Sequence, residues 1–149
     1  MILDGFLMFS NGQVLTASAD STNVLDFQNA RDLGVGENKT LKVFVATSSA
    51  LLSAGATTLD VAYQGSTDGS TWTTMWSQTG LTKASITAAG TRIASFDLPR
   101  PVVGQALPRY AKLVYTVGTG PFTAGSVSAG IVLDDQANVQ YAAGLTVNN

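Results

Sequence analysis

Apolar and polar residues alternate with a period of two through most of this chain. In Leu41–Thr47 the residues Leu41, Val43 and Val45 share one face, while Lys42 shares the other with Phe44. In Thr57–Gln64 the residues Leu59, Val61 and Tyr63 oppose Asp60 and Gln64. Thr91–Leu98 sets Ala94, Phe96 and Leu98 against Ile93, Ser95 and Asp97, and Arg109–Val117 sets Leu113, Tyr115 and Val117 against Lys112 and Thr116. Val127, Ala129, Ile131 and Leu133 then alternate with Ser126, Ser128 and Gly130. Side chains on a strand point to opposite faces in turn, so these runs predict half-buried strands.

Turn signals separate the runs. Gly65–Ser70 contains Asp68-Gly69, and Asp-Gly favours the positive φ of tight hairpin connections, so the segments on either side are expected to pair antiparallel. Gly34-Val35-Gly36, Ala54-Gly55, Ala89-Gly90, Pro99-Arg100-Pro101 and Gly118-Thr119-Gly120-Pro121 punctuate the rest, the last of them expected as a hairpin turn. Roughly eight short strands with such spacing indicate an all-β sandwich or barrel in a single domain spanning residues 1–149. Little or no helix is expected. Asp26–Asp32 has room for one short turn that Gly34 and Gly36 would end.

The two ends differ from the middle. Residues 1–9 form a greasy strip, and residues 136–149 are small and polar apart from Val139, Tyr141, Leu145 and Val147. Each end is a possible docking arm; the alternative is an ordinary first strand and a frayed tail. No Lys or Arg precedes the apolar strip and Asp4-Gly5 interrupts it, which makes a poor signal peptide. Nothing approaches the ~18 consecutive apolar residues of a membrane-spanning helix, and no membrane partner is expected.

Composition narrows the chemistry. The chain has no cysteine and no histidine, which removes disulfides, thiolate metal sites, cysteine nucleophiles, the commonest general base and the commonest metal ligand. Eight scattered Lys and Arg residues in a chain of net charge −2 form no basic stripe, so nucleic acid is not an expected partner. Asp134-Asp135 could coordinate a cation or pair with Asp60, Asp68 or Asp97, but neighbouring strand residues diverge, and a solvated strand end is the preferred reading. No serine sits in Gly-x-Ser-x-Gly, and without histidine a triad is impossible. No enzyme activity, cofactor or metal is expected. Trp72 and Trp76 lie four apart on a strand, hence on one face about 13 Å apart. If exposed, they would make a platform for sugar rings; buried, they fill a core or subunit interface, which is the commoner fate of aromatics.

Met1–Asp4, Ala30–Glu37, Tyr115–Gly125 and Gly130–Asp134, taken in order, resemble the capsid cement (decoration) protein of tailed bacteriophages typified by a Bordetella phage. The resemblance implies an antiparallel jelly-roll β-sandwich on the outer surface of the virion head, made in the host cytoplasm. Its partners would be the major capsid protein, whose neighbouring subunits it clamps, and itself as a homodimer or homotrimer. On this reading Ile2, Leu3, Phe6 and Phe9 in the N-terminal strip and Tyr141, Leu145 and Val147 in the tail are the contact candidates, and residues 1–9 are expected to be removable without loss of fold. The alternative is a carbohydrate-binding sandwich of a phage fibre or receptor-binding protein, using Trp72 and Trp76. An enzyme gathering Asp60, Asp97 or Asp134 in a cleft comes third.

Overall fold

The computed structural model describes residues 3–30, 41–99 and 106–133. A single 3-10 turn, Gly5–Leu7, leads into β1 (Met8–Val14), β2 (Ala19–Asp20), β3 (Leu25–Asp26), β4 (Lys42–Leu52), β5 (Thr58–Ser66) and β6 (Thr73–Thr82). A four-residue helix, α1 (Lys83–Ile86), then precedes β7 (Arg92–Asp97), β8 (Tyr110–Gly118) and β9 (Ala124–Val132). The described residues thus hold nine strands, two of them only two residues long. The expected turn near Asp26–Asp32 has no helical residues among those described, and α1 lies where no helix is expected from the sequence. Main-chain and side-chain bonds from Lys83 to Thr57 and Ser53 anchor that single turn to the loop between β4 and β5.

The strands form two antiparallel sheets. One has the order β1-β9-β4-β7; the other has the order β2-β8-β5-β6, with β3 also on β8. Apart from the β5–β6 hairpin and the β2–β3 pair on β8, the chain changes sheet at each successive strand, and β9 returns between β1 and β4 while β8 returns between β2 and β5. That nesting of two Greek keys is the jelly roll.

The expected alternation holds in the central strands. Leu59, Val61 and Tyr63 of β5 and Ala111, Leu113 and Tyr115 of β8 are buried against Val43 and Val45 of β4 and Val127, Ala129 and Ile131 of β9. Aromatic rings close the gap between the layers in alternation. Phe9 of β1 meets Tyr63 edge-on at 6.0 Å, Tyr63 meets Phe96 of β7 at 6.2 Å, and Phe96 stacks on Trp76 of β6 at 3.6 Å. A polar link crosses the same gap: Ser10 donates to Gln13 Oε1 at 2.7 Å, so the Tyr115 hydroxyl donates to Ser10 Oγ at 2.9 Å. Burial pushes the Tyr115 phenol up to about 12. Tyr63 is also raised by burial, and no described residue hydrogen-bonds its hydroxyl.

Two turns differ in what they connect. The Asp68-Gly69 turn joins β5 to β6 as an antiparallel hairpin, with Gly69 at φ 75°. Asp68 holds it together by accepting from the Ser70 and Thr71 amides, each at 2.8 Å, and from Ser66 Oγ at 2.9 Å. Gly118–Pro121, by contrast, is not a hairpin: β8 and β9 belong to different sheets, and the segment carries the chain across the end of the sandwich. Thr119 and Gly120 have positive φ, and Phe122 is buried directly after them. A turn signal marks where the chain reverses but not which sheet receives the next strand.

The short β2 and β3 have little main-chain ladder of their own. Outward ion pairs add to it: Lys112 to Asp20 at 2.7 Å, and Arg109 to Asp26 through two bonds of 2.8 Å.

Replacing Tyr63 by Phe removes a buried hydroxyl that bonds to no described residue and is expected to leave the urea unfolding midpoint unchanged or higher. Tyr115→Phe breaks the interlayer link and should cost about 1 kcal/mol. Hydrogen bonds from the Thr71 and Ser70 amides hold Asp68 well below its ordinary 3.8, and the Arg109 hydrogen bond lowers Asp26. A depressed folded-state value means stability that is present above 3.8 and lost as the pH falls below it. Acid titration of unfolding should therefore show stability dropping below about pH 4, with a shallower drop in Asp68→Asn.

Candidate functional site

The first described residues build an apolar corner outside the main core. Asp4 caps the 3-10 turn, its carboxylate accepting from the Phe6 amide at 2.9 Å while its carbonyl accepts from the Leu7 amide at 3.0 Å. The capped turn presents Phe6, 91% exposed, and follows Leu3, 44% exposed. A large aromatic side chain held in water by an ordered turn is the kind of apolar exposure that marks an interaction surface when it joins a larger patch.

Behind the turn, on the face of the first sheet turned away from the main core, lies a second apolar cluster that is itself buried. Met8, Phe44 and Val132 form a second hydrophobic cluster, with Ala46 packed against it. Gly130 lies opposite both Met8 and Phe44 in the ladder. A Cβ there would come within 2.8 Å of the Met8 sulfur and 3.3 Å of Phe44, so glycine is what lets those two side chains close over the strand. Leu133, 60% exposed, follows Val132 at the same end.

The N-terminal strip is therefore divided. Leu3 and Phe6 face outward, but Phe9 is fully buried in the domain's own core against Tyr63 and is not a contact candidate. The reason is local. The register of β1 with β9 slips by one residue between Met8 and Ser10, so Met8 takes the outer face while Phe9 and Ser10 are both buried inward. For the same reason Met8 and Phe9 belong to the first sheet and not to an arm that leaves it. Ile2, Tyr141, Leu145 and Val147 lie outside the described residues, as do Asp134 and Asp135. The sequence held one signal for the part of the corner that was missed: Phe44 falls on the polar face of its strand, beside Lys42.

The tryptophans do not share a face. Between Tyr63↔Trp76 and Gln64↔Thr74 the register shifts by one at Met75, a bulge that reverses the alternation. Trp76 consequently turns inward onto Phe96, whereas the Trp72 ring lies 4.5 Å from Lys112 Nζ, on the outward side of β8. No paired platform for sugar rings results.

The carboxylates do not converge. Asp60 accepts from the Gly80 amide at 2.6 Å on the second sheet, and Asp97 pairs with Lys42 at 3.3 Å on the first. Among the described residues no group of three or more potential metal ligands comes together, and no helix is long and apolar enough to cross a membrane.

A family model described as Bbp16 matches residues 9–131, most of the chain, and the chain belongs to that family. No curated protein matches the chain.

The divided strip separates two kinds of phenylalanine. Phe9→Ala should lower the free energy of unfolding by about 3–5 kcal/mol, as for other buried aromatics. Phe6→Ala should stay within about 0.5 kcal/mol of the parent. Chemical denaturation of the two variants reads the difference.

Proposed function

We propose that this Bbp16-family chain is a phage structural protein, a capsid cement that binds the outside of a tailed-phage head and bridges neighbouring major capsid protein subunits. Membership of the family and the jelly-roll sandwich support the reading. The observation that carries it is the capped turn that presents Phe6 to solvent, with the exposed Leu3 just before it.

The mechanism is adhesion without turnover. A rigid sandwich keeps its own core and offers Leu3, Phe6 and Leu133 as apolar anchors to a groove between shell subunits. Separating those subunits would return the anchors to water, and apolar surface re-exposed costs roughly 25 cal/mol per Å². A joint of about 1,000 Å² is enough for a specific contact. Many modest joints over one closed shell add through avidity, since each bound copy holds its neighbours in place. The protein would be made in the host cytoplasm and carried on the virion surface, and it needs no cofactor for this work.

Binding of the purified chain to heads that lack it tests the reading. Wild-type protein should bind and raise the temperature at which the heads lose their contents. Phe6→Ala, which leaves the fold intact, should weaken binding by about 30-fold, the loss expected for an interface anchor worth about 2 kcal/mol. Wild-type protein that ignores the heads would remove the cement assignment. Unchanged binding by Phe6→Ala would remove the apolar corner as its docking surface.

A further inference from the structure

Asn11-Gly12, on β1, is the chain's only Asn-Gly pair. Asparagine before glycine loses ammonia without a catalyst, because the next amide nitrogen closes a five-membered ring on the side-chain carbonyl carbon and glycine has no Cβ to shield that nitrogen. A regular strand suppresses the reaction, since its ladder holds the amide and keeps the backbone extended. The local fold therefore decides whether this pair reacts.

The pair sits on a bulge, outside the ladder. Ser10 lies opposite Ala129 and Gln13 opposite Val127, so Asn11 and Gly12 together face the single residue Ser128. Gly12 has φ 63°, and a Cβ built on it would meet nothing within 4 Å, which leaves room for a ring to form. Both residues are exposed, and no described residue hydrogen-bonds the Asn11 side chain. One restraint is left: the Gly12 amide donates to Ser128 Oγ at 2.9 Å. The two Asp-Gly pairs, which close the same ring more slowly from a carboxyl group, are held differently. Asp68 Oδ1 accepts from Ser66 Oγ and from the Ser70 and Thr71 amides, and Asp4 accepts from the Phe6 amide. Those bonds occupy the carboxylate oxygens and fix the side chains.

We infer that Asn11 is a self-modification site of the folded protein, converted to aspartate and isoaspartate at a rate set by Ser128. The Gly12 nitrogen gives its proton to solvent base and bonds to Asn11 Cγ; the bond from Cγ to the side-chain nitrogen breaks, and that nitrogen takes up a proton and leaves as ammonia. Water then opens the ring. Addition at Cγ gives aspartate, and addition at the main-chain carbonyl carbon gives isoaspartate, so one water is consumed for each ammonia released. Either product carries one more negative charge than the −2 of the chain. Isoaspartate also adds an atom to the main chain, and a bulge is where an added atom disturbs the ladder least. Older copies keep the fold and bear an acid at the edge of the first sheet. This chemistry belongs to the chain itself and stands apart from the cement reading.

The folded full-length chain, incubated at mildly alkaline pH, tests it by peptide mass spectrometry with fragmentation that separates aspartate from isoaspartate. Asn11 should gain both products, while Asn23, which precedes Val24 and donates to the Met8 carbonyl at 2.9 Å, should not. Ser128→Ala frees the Gly12 amide and should raise the rate about five-fold, the weight of one ordinary hydrogen bond. Ser128→Thr keeps the hydroxyl and should react at the wild-type rate, and Asn11→Gln, which must close a larger ring, should not react. Guanidinium below the unfolding transition should leave the wild-type rate flat, as for a reaction of the native state. An Asn11 that stays intact in the folded chain, a rate that rises with the unfolded population, or equal rates for wild type and Ser128→Ala would overturn the inference.

Discussion

Contact between the two sheets is the constraint on which the rest of this molecule depends. Without disulfides to hold them, the layers stay together only by what they bury between them. The contact is built as an alternation of rings: Phe9 and Phe96 from one sheet interleave with Tyr63 and Trp76 from the other. Aromatic rings supply more buried area per residue than the Val, Ala and Leu around them, and edge-on geometry adds to it. The Tyr115–Ser10 bond crosses the same gap and, being directional, fixes the lateral position of β1 over β8 in a way that apolar contact does not.

Because the core is shut, what the protein offers to others must come from its outer faces and edges, and bulges govern both. The slip after Met8 sends Phe9 inward and leaves Met8 outside, where it joins Phe44 and Val132. The bulge at Met75 separates Trp72 from Trp76. Each is a one-residue change of register that reverses the side of every following side chain. The same kind of irregularity interrupts β1 and β6 twice each and β7 once. One type of local defect therefore decides which side chains reach the second cluster and which reach the main core.

A reading of the molecule as structural cement fits this division of labour. Four of the described carboxylates hold turns and short strands: Asp68 organises the β5–β6 turn, Asp20 and Asp26 pin β2 and β3 to β8, and Asp60 receives the Gly80 amide.

The chain's own pattern was sufficient for the central strands. Leu59–Tyr63, Leu113–Tyr115 and Val127–Ile131 point as their alternation requires, since burial of one face imposes a strict period of two. The Asp68-Gly69 hairpin was legible for a similarly local reason, because its geometry is a property of those residues. Three matters were decided only by tertiary structure. One was whether Gly118–Pro121 returns β9 to the same sheet or carries it to the other. Another was the face reached by Phe9 and by Trp72. The third was the gathering of Met8, Phe44 and Val132 into one cluster. Alternation is a local signal and survives only while the register is unbroken. A bulge or a change of sheet is chosen by the neighbouring strand, and that neighbour lies far away along the chain.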